Sequence, residues 1–258
     1  MRVLVTGDKH LGLVSDGVSR LEEQGVILER CVELLSHFNP DVYVDLGDMF
    51  HSPRPGPDAY ELAFRYLRDL AAWRWERKGR HAFVLAGNHD KSTRGCSNAL
   101  SPLLGFQKLP QVILAPMEKG IGLADGVPPT STWGGALFLF LPFVTEWEAR
   151  TVFGVDGAQT LLDNAAARAL AVATKDAPVV VFSHLEVPGA KRNDWDVSQR
   201  DVGLHVPDVL LDDDRVLGIY AGHIHRHQVL GNVVVVGSAI HVDFGEASDQ
   251  KGALLVEF

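Results

Sequence analysis

The sequence has few cysteines, no long apolar run and no excess of positive charge, and each shortage excludes a class of protein. Only Cys31 and Cys96 occur in 258 residues, too few for a disulfide framework. No stretch approaches the roughly 18 apolar residues that a membrane-spanning helix needs, so no membrane partner is expected. The N-terminus, MRVLVTGDKH, lacks the basic region and cleavage site of a leader and fits a first strand. We therefore expect a protein of the reducing cytoplasm.

The negative net charge of the chain limits how it can bind a polyanion such as nucleic acid. A formal net charge of −9 argues against a protein that coats nucleic acid over its whole surface. It does not exclude a nuclease, because bound divalent cations would place positive charge where a phosphate must sit. The 46% hydrophobic and 22% charged content is that of an ordinary globular protein with a sizeable core.

Strand-like apolar runs alternate with helical patterns, which predicts an α/β layered fold with a largely parallel sheet. The predicted strands are residues 2–6, 41–46, 81–86, 136–141, 178–183, 216–221, 233–236 and 253–258. The predicted helices are residues 19–38, 57–77 and 158–173. Residues 117–135, rich in Gly and Pro, predict a surface loop or hairpin inside one domain that spans residues 1–258.

Polar side chains follow five of the predicted strands directly. They are Asp8 and His10, Asp48, Asn88 and His89, His184, and His223 and His225. Ligand sites in open α/β folds lie beyond the carboxyl ends of the strands, so these side chains are expected at one rim. Carboxylate and amide oxygens mixed with imidazoles suit Mn²⁺, Fe²⁺ or Zn²⁺, and the absence of cysteine from these clusters disfavours a structural zinc site.

Each cluster alone has an ordinary explanation. A Gly-Asp after a strand, as in GDKH, is usually a turn, and a lone His184 is more often a buried, satisfied histidine. GHIH is more specific, because His223 and His225 point the same way on an extended segment. GNHD is more specific still, because an ordinary turn after a strand does not need both Asn88 and His89. All five blocks in this order favour a metal site.

The blocks GDKH, GDMF, GNHD, SH and GHIH resemble the D-x-H, G-D, G-N-H-D, H and G-H-x-H pattern of the calcineurin-like metallophosphoesterases. The segments GDMFHSPRPGP, AGHIHRHQ and GSAIHVDFGEASDQKG further resemble the SbcD-type DNA repair nucleases of that superfamily. Phosphoprotein phosphatases would instead show Arg-Gly after the second block and GNHE as the third. The resemblance implies a four-layer α/β/β/α sandwich in a single domain. Lys9 departs from it, since an aromatic residue is usual there.

The resemblance also implies a two-metal site. The ligands expected for one ion are Asp8, His10, Asp48 and His225. Those expected for the other are Asp48, Asn88, His184 and His223, with Asp48 as the bridge. Mn²⁺ is the expected metal, with Mg²⁺, Fe²⁺ and Zn²⁺ as alternatives. Such a pair can hold a phosphate and lower the pKa of a water that attacks phosphorus.

Two further histidines take catalytic roles through the resemblance. His89 would not be a ligand but would donate a proton to the leaving oxygen or stabilise it, and imidazole is apt for proton exchange near neutral pH. His51 would help to orient His89 or the phosphate. The alternative for His51 is a surface residue of the Pro-rich loop.

Basic residues concentrate in the motif loops of this acidic chain, which predicts a positive rim for DNA phosphates. The candidates for these contacts are Lys9, Arg54, Lys91, Arg94, Lys191, Arg192 and Arg226.

The predicted function is a two-metal DNA nuclease of repair, recombination or replication. It would cut as an exonuclease, with endonuclease cleavage at single strands or hairpins as a further activity. The alternatives are a small-molecule phosphodiesterase or phosphomonoesterase with the same metals, and a non-catalytic scaffold, which the full ligand set disfavours.

The expected partners are DNA, an SMC-like ATPase subunit and a second copy of the chain. SbcD-type nucleases generally continue into a capping domain and an ATPase-binding segment, and neither is detected here. We therefore expect a minimal form, either phage-like and located in the host cytoplasm, or shortened.

Overall fold

The computed structural model of the chain describes residues 1–92, 98–103, 112–115, 130–133, 135–192 and 203–258. The strands are β1 (Arg2–Thr6), β2 (Val14–Ser15), β3 (Val18–Ser19), β4 (Val42–Asp45), β5 (His81–Leu85), β6 (Val112–Ala115), β7 (Thr130–Trp133), β8 (Ala136–Leu141), β9 (Val179–Ser183), β10 (Val216–Ala221), β11 (Gln228–Leu230), β12 (Val233–Val235) and β13 (Leu254–Glu257). The α-helices are α1 (Leu21–Phe38), α2 (Pro57–Trp75), α3 (Glu146–Thr151), α4 (Ala158–Val172) and α5 (Asp208–Leu211). Across these ranges, no helix has the length and apolar character needed to cross a bilayer.

The strands form two large sheets and one small hairpin. The first sheet has the order β13-β1-β4-β5-β6, parallel except for β13. The second has the order β11-β12-β10-β9-β8-β7, parallel except for the edge strands β11 and β7. The hairpin pairs β2 with β3. Parallel centres with crossover helices are what the alternation of strands and helices predicts.

Alternation along single strands divides the core into three apolar clusters. On β1, Val3 and Val5 face the space between the two sheets, whereas Leu4 faces α1 and α2. On β9, Val180 faces the same space between the sheets, whereas Val181 faces α4. Successive residues of a strand point to opposite faces, so each sheet is covered on both sides. The result is the predicted four-layer α/β/β/α sandwich, and the predicted fold class is confirmed.

The helices begin and end at residues with suitable backbone chemistry. Pro57 is in the first turn of α2, where its missing N–H costs nothing. Asn39 caps α1 in the left-handed conformation, with φ of 49°. The Thr145 side chain and Glu148 form a reciprocal capping box at the start of α3.

Several elements differ from the sequence prediction, and β6, β11, α3 and α5 were not predicted. Helix α1 starts at Leu21 rather than at residue 19, because Val18 and Ser19 pair with β2 across an Asp16-Gly17 turn. Within the segment 117–135, expected to be a loop or hairpin, residues 130–133 form β7 and pair antiparallel with β8. Residues 116–129 lie outside the described ranges.

Candidate metal centre

Five loops that follow parallel strands meet at one end of the two sheets. The loops after β1, β4 and β5 carry the Asp8, Asp48 and Asn88 blocks. The loops after β9 and β10 carry the His184 and GHIH blocks of the second sheet. The structure therefore brings all seven predicted ligands to one rim, where the carboxyl ends of parallel strands place them.

Unusual backbone conformations concentrate in these loops. Among the described residues, positive φ angles at non-glycine positions include Asp8 (52°), His10 (48°), Asp48 (50°) and His223 (78°). Such angles are uncommon for side chains of this size and persist only where the surroundings hold them. The surrounding structure therefore holds these four residues in an unfavourable backbone conformation, and this conformation directs their side chains toward the site.

Two glycines permit the loops to approach closely. A Cβ atom on Gly87 would lie 2.0 Å from Asp48 Oδ1 and 2.5 Å from the Asp48 backbone nitrogen. A Cβ on Gly47 would lie 2.7 Å from His184 Nδ1, and Gly47 has a φ of 115°. Only glycine fits at either position. The glycines of the GDMF and GNHD blocks are therefore required by the close packing of the loops.

The first group of side chains contains Asp8, His10 and His225. The Nε2 atoms of His10 and His225 lie 3.1 Å apart, and His225 Nε2 lies 4.0 Å from Asp8 Oδ1. Asp8 Oδ1 accepts a hydrogen bond from the His223 backbone N–H at 3.1 Å. Asp8 Oδ2 is buried and has no hydrogen-bond partner among the described residues. A buried carboxylate oxygen is costly without a donor or a cation.

The second group contains Asn88, His184 and His223. Asn88 Oδ1 lies 3.0 Å from His184 Nε2 and 3.0 Å from His223 Nδ1. The opposite nitrogen of His184, Nδ1, lies 2.9 Å from the Leu46 carbonyl oxygen. A carbonyl only accepts, so Nδ1 carries a hydrogen and Nε2 is the nitrogen that faces Asn88 and would bind a metal.

Asp48 lies between the two groups. Its Oδ2 atom is 3.3 Å from His184 Nε2 and 3.9 Å from His10 Nε2. Its Oδ1 atom accepts the backbone N–H of His89 at 2.8 Å. One carboxylate therefore faces both sets of donors, which is the placement that a bridging ligand needs.

The donor atoms fit divalent ions. Two donor atoms bound at about 2.1 Å with a right angle between them lie about 3.0 Å apart. This is close to the 3.1 Å between His10 and His225 and to the 3.0 Å from Asn88 Oδ1 to each histidine of the second group. Burial lowers the pKa of His10 well below its ordinary value despite the nearby Asp48 carboxylate, which keeps the imidazole neutral for binding. Burial alone would raise the pKa of Asp48, but His184, His89 and His10 outweigh it and hold that pKa well below its ordinary value.

His89 and His51 lie beside the first group. The rings of His10 and His89 are 4.8 Å apart, and the His51 and His89 rings stack at 5.3 Å. His89 Nδ1 lies 3.0 Å from the His51 carbonyl oxygen, so His51 positions His89 through its backbone. His10, His51 and His89 also lie close enough together to hold an ion themselves, an alternative to the expected non-ligand role of His89.

The structure corrects the expected positions of Lys9 and Lys91. Lys9 is 1% exposed, and its ammonium lies 2.6 Å from Asp45 Oδ2 in the core. Lys91 is 4% exposed and lies 2.9 Å from Glu148 Oε1. A buried ammonium stays with its carboxylate, because separation would leave an unpaired charge. Neither lysine belongs to the positive rim.

The other predicted phosphate contacts differ in position. Arg54 and Lys191 are exposed, and the Arg226 side chain is half exposed with Nε 3.9 Å from Asp249 Oδ1. Arg192 Nη2 lies 2.5 Å from Glu186 Oε1 and 3.1 Å from His223 Nε2, at the edge of the second group. Arg94 lies outside the described residues.

Asp90 and Glu246 are site residues that the sequence analysis did not assign. Buried Asp90 accepts the backbone N–H groups of Gly87 and Phe50 at 2.9 Å each, and burial beside Asp48 raises its pKa to about 7. Glu246 Oε1 lies 2.7 Å from His225 Nδ1. Asp90 lies in the GNHD block and Glu246 lies in the GSAIHVDFGEASDQKG block. Membership of these blocks was the sequence signal that could have identified them as site residues.

Comparison with known families decides the assignment of this site. The calcineurin-like phosphoesterase family matches residues 1–227. The chain belongs to this family. The predicted superfamily is thereby confirmed. The chain is a metal-dependent hydrolase of phosphoester bonds, in a family that uses a dinuclear centre of divalent ions.

Curated relatives of this chain align with it over its whole length. It is 28% identical over 276 residues to the SbcD subunit of nuclease SbcCD from Escherichia coli K12, covering 100% of this chain and 65% of the relative. It is 27% identical over 267 residues to the SbcD subunit of nuclease SbcCD from Staphylococcus saprophyticus, with the same coverage. The chain thus spans about 65% of the length of these relatives.

Solved structures agree with the fold. A dimetal phosphatase from Danio rerio superposes with a TM-score of 0.54 at 15% identity, covering 92% of this chain and 87% of that one. At this identity the likeness supports the four-layer phosphoesterase fold and carries no information on substrate.

Proposed function

We propose that this phosphoesterase is a two-metal DNA nuclease. The observation that carries the proposal is the position of Asp48, whose Oδ2 faces His184 Nε2 at 3.3 Å and His10 Nε2 at 3.9 Å. The choice of DNA rests on the likeness to the SbcD subunit of nuclease SbcCD over the whole chain. Exonuclease cutting in repair, recombination or replication, with endonuclease cleavage at single strands or hairpins, is the activity we propose.

In this proposal the two groups of side chains hold the ions. Asp8, His10 and His225 would hold one, Asn88, His184 and His223 would hold the other, and Asp48 would be shared by both. Bound ions supply positive charge for a phosphate and a lower pKa for water. Mn²⁺ is the proposed metal, as the resemblance to the SbcD-type nucleases implies and the mixed oxygen and imidazole ligands permit, and Mg²⁺, Fe²⁺ and Zn²⁺ are alternatives.

His89 would exchange a proton with the leaving oxygen. Its Nδ1 faces a carbonyl oxygen at 3.0 Å and so carries a hydrogen, which leaves Nε2 as the atom that can give or take a proton. Its backbone N–H donates to Asp48 Oδ1 at 2.8 Å, which ties the acid–base group to the bridging carboxylate. His51 orients His89 from the other side through its carbonyl.

The proposed DNA contacts are now fewer than the sequence alone indicated. Arg54, Lys191, Arg192 and Arg226 remain as candidates among the described residues, and Arg192 is the one beside a proposed ligand. Few contacts should give weak binding and a shallow salt dependence, with a slope of about −0.9 per phosphate contact. The proposal therefore includes help from an SMC-like ATPase subunit or a second copy of the chain in the cytoplasm.

The competing function is hydrolysis of small phosphodiesters or phosphomonoesters with the same ions. One experiment separates the two. The chain, stripped by a chelator and reloaded with Mn²⁺, is given labelled duplex DNA, labelled single strands and bis(p-nitrophenyl) phosphate, beside Asp48→Asn as the inactive control. Metal-dependent shortening of the DNA supports the nuclease. Turnover of the small ester with intact DNA at high enzyme concentration would establish the alternative.

A further inference from the structure

The loop of residues 237–252, here called the C-terminal loop, lies against the proposed first metal site. The Ser238 backbone N–H donates to the His225 carbonyl at 3.1 Å, and the Ala239 N–H donates to the Gly7 carbonyl at 3.1 Å. Arg20 also donates to the His241 carbonyl at 3.1 Å. The C-terminal loop is thus fastened to the two segments that carry Asp8, His10 and His225.

Glu246 is the acidic residue of this loop that reaches a proposed ligand. It is 2% exposed, and its Oε1 lies 2.7 Å from His225 Nδ1. A carboxylate accepts only, so His225 Nδ1 carries the hydrogen and the Nε2 lone pair faces His10 and Asp8. The Glu246 carboxylate therefore fixes both the tautomer of His225 and the orientation of its ring.

Lys251 holds Glu246 in place. Its ammonium lies 2.7 Å from Glu246 Oε2 and donates to Ser238 Oγ at 2.8 Å and to the His225 carbonyl at 3.0 Å. The backbone N–H of Val242 donates to the same Glu246 Oε2 at 2.9 Å. Both carboxylate oxygens are therefore occupied, one by the histidine and the other by the groups that anchor it.

We propose that Glu246, anchored by Lys251, is a positioning residue that orients His225 for the first divalent ion and strengthens its binding. Carboxylates behind metal-bound histidines orient the ring and raise the basicity of the ligating nitrogen. His184 in the second group differs, because its Nδ1 faces a backbone carbonyl at 2.9 Å and Glu246 does not contact it. The two sites should consequently respond unequally to loss of Glu246. The inference rests on the two-metal site proposed above.

The test compares Mn²⁺ binding to the unmodified chain, Glu246→Gln, and Glu246→Gln/Lys251→Met. The double variant also removes the ammonium, whose remaining carboxylate partner in the single variant is Asp249 at 3.8 Å, so it guards against failure to fold. Binding is followed by isothermal titration and by electron paramagnetic resonance, which distinguishes a coupled Mn²⁺ pair from one isolated ion. Neither readout depends on turnover.

Glu148→Gln is the matched control. Glu148 is also buried and paired with a lysine, Lys91 at 2.9 Å, but its carboxylate serves the capping box of α3 with Thr145 instead of a proposed ligand. The substitution should lower stability without changing the affinity for either ion.

We expect the Glu246 variants to bind one Mn²⁺ as before and the other about 10–100-fold more weakly, with the coupled signal replaced by that of a single ion. Two ions bound with unchanged affinity by a folded Glu246 variant would overturn the inference while leaving the proposed function intact. Failure of the unmodified chain to bind a coupled pair would instead overturn the two-metal site itself.

Discussion

The ammonium of Lys9 lies 2.6 Å from Asp45 Oδ2 inside the core, beneath the loop that carries Asp8 and His10. Burial alone would lower the pKa of Lys9, but the Asp45 carboxylate outweighs it and raises that pKa, so the ammonium stays charged. Lys9 also donates to Thr6 Oγ1 at 2.8 Å, and Thr6 shares a hydrogen bond of 2.6 Å with the Tyr43 hydroxyl. The side chain that departs from the family pattern therefore joins the first motif to the end of β4.

Breaking this ion pair from one side should destabilise the fold strongly. Lys9→Met leaves the Asp45 carboxylate buried and unpaired, so we expect the free energy of unfolding to fall by about 3–5 kcal/mol. Lys9→Met/Asp45→Leu should recover much of that loss, because no charge is then left alone in the core. Urea unfolding at pH 7 measures both. Arg30→Met, which breaks an exposed pair with Glu33, is the control and should cost less than about 1 kcal/mol. A Lys9→Met loss as small as the control would contradict the structural role given to this pair.

Stability should fall steeply in alkali because of the two tyrosines beside this pair. Burial raises the pKa of Tyr43, and burial together with Tyr43 raises that of Tyr66 well above 10. The folded state thus retains protons that the unfolded chain releases near pH 10, so stability is lost as pH rises above that value. These two groups contribute about 2.7 kcal/mol per pH unit to the slope. Urea unfolding from pH 9 to 11 should show it, and Tyr66→Phe should lower the slope by about 1.4 kcal/mol per pH unit. An equal slope in Tyr66→Phe would refute the assignment.

Gly87→Ala should empty the metal site and also lower the stability of the fold. The added Cβ would lie 2.0 Å from Asp48 Oδ1 and 2.5 Å from the Asp48 backbone nitrogen, so both the carboxylate and the backbone of Asp48 must move. We expect loss of both ions and a fall in activity of more than about 100-fold, with metal content measured by atomic emission. Gly56→Ala is the matched control, because a Cβ there meets nothing within 4 Å. Two ions retained by Gly87→Ala would show that Asp48 is not constrained as described.

His89→Gln separates chemistry from metal binding. We expect turnover of bis(p-nitrophenyl) phosphate to fall by about 10²–10⁴, the range for loss of a general acid–base group, with both ions retained. His37→Gln, on the exposed side of α1, should change neither quantity. If His89→Gln loses an ion, the cluster of His10, His51 and His89 is a metal site and His89 is a ligand.

The sequence could predict the rim, since Asp8, Asp48 and His184 each follow a strand directly and strand periodicity is a local signal. It could not predict that Lys9 turns inward, because its partner Asp45 lies 36 residues away at the end of β4. The same holds for Lys91 and Glu148, 57 residues apart. Such pairs depend on which strands, helices and loops pack together in the tertiary structure, and local sequence patterns do not encode that.

Some missed elements did have local signals. The Asp16-Gly17 pair is a hairpin turn signal between β2 and β3, and Thr145 with Glu148 has the spacing of a capping box before α3. For Glu246, the sequence carried a signal for the residue but none for its role. Its block was visible in the sequence, but its role became apparent only once His225 was placed 2.7 Å away.

The proposed two-metal site depends on Asp48 as a ligand shared by two divalent ions. The most direct test is diffraction from crystals grown with Mn²⁺, with anomalous data collected at the manganese edge. We predict two peaks about 3.5–4 Å apart, one beside Asp8, His10 and His225, the other beside Asn88, His184 and His223, with Asp48 between them. A single peak, or a peak among His10, His51 and His89 with Asp48 uninvolved, would contradict it.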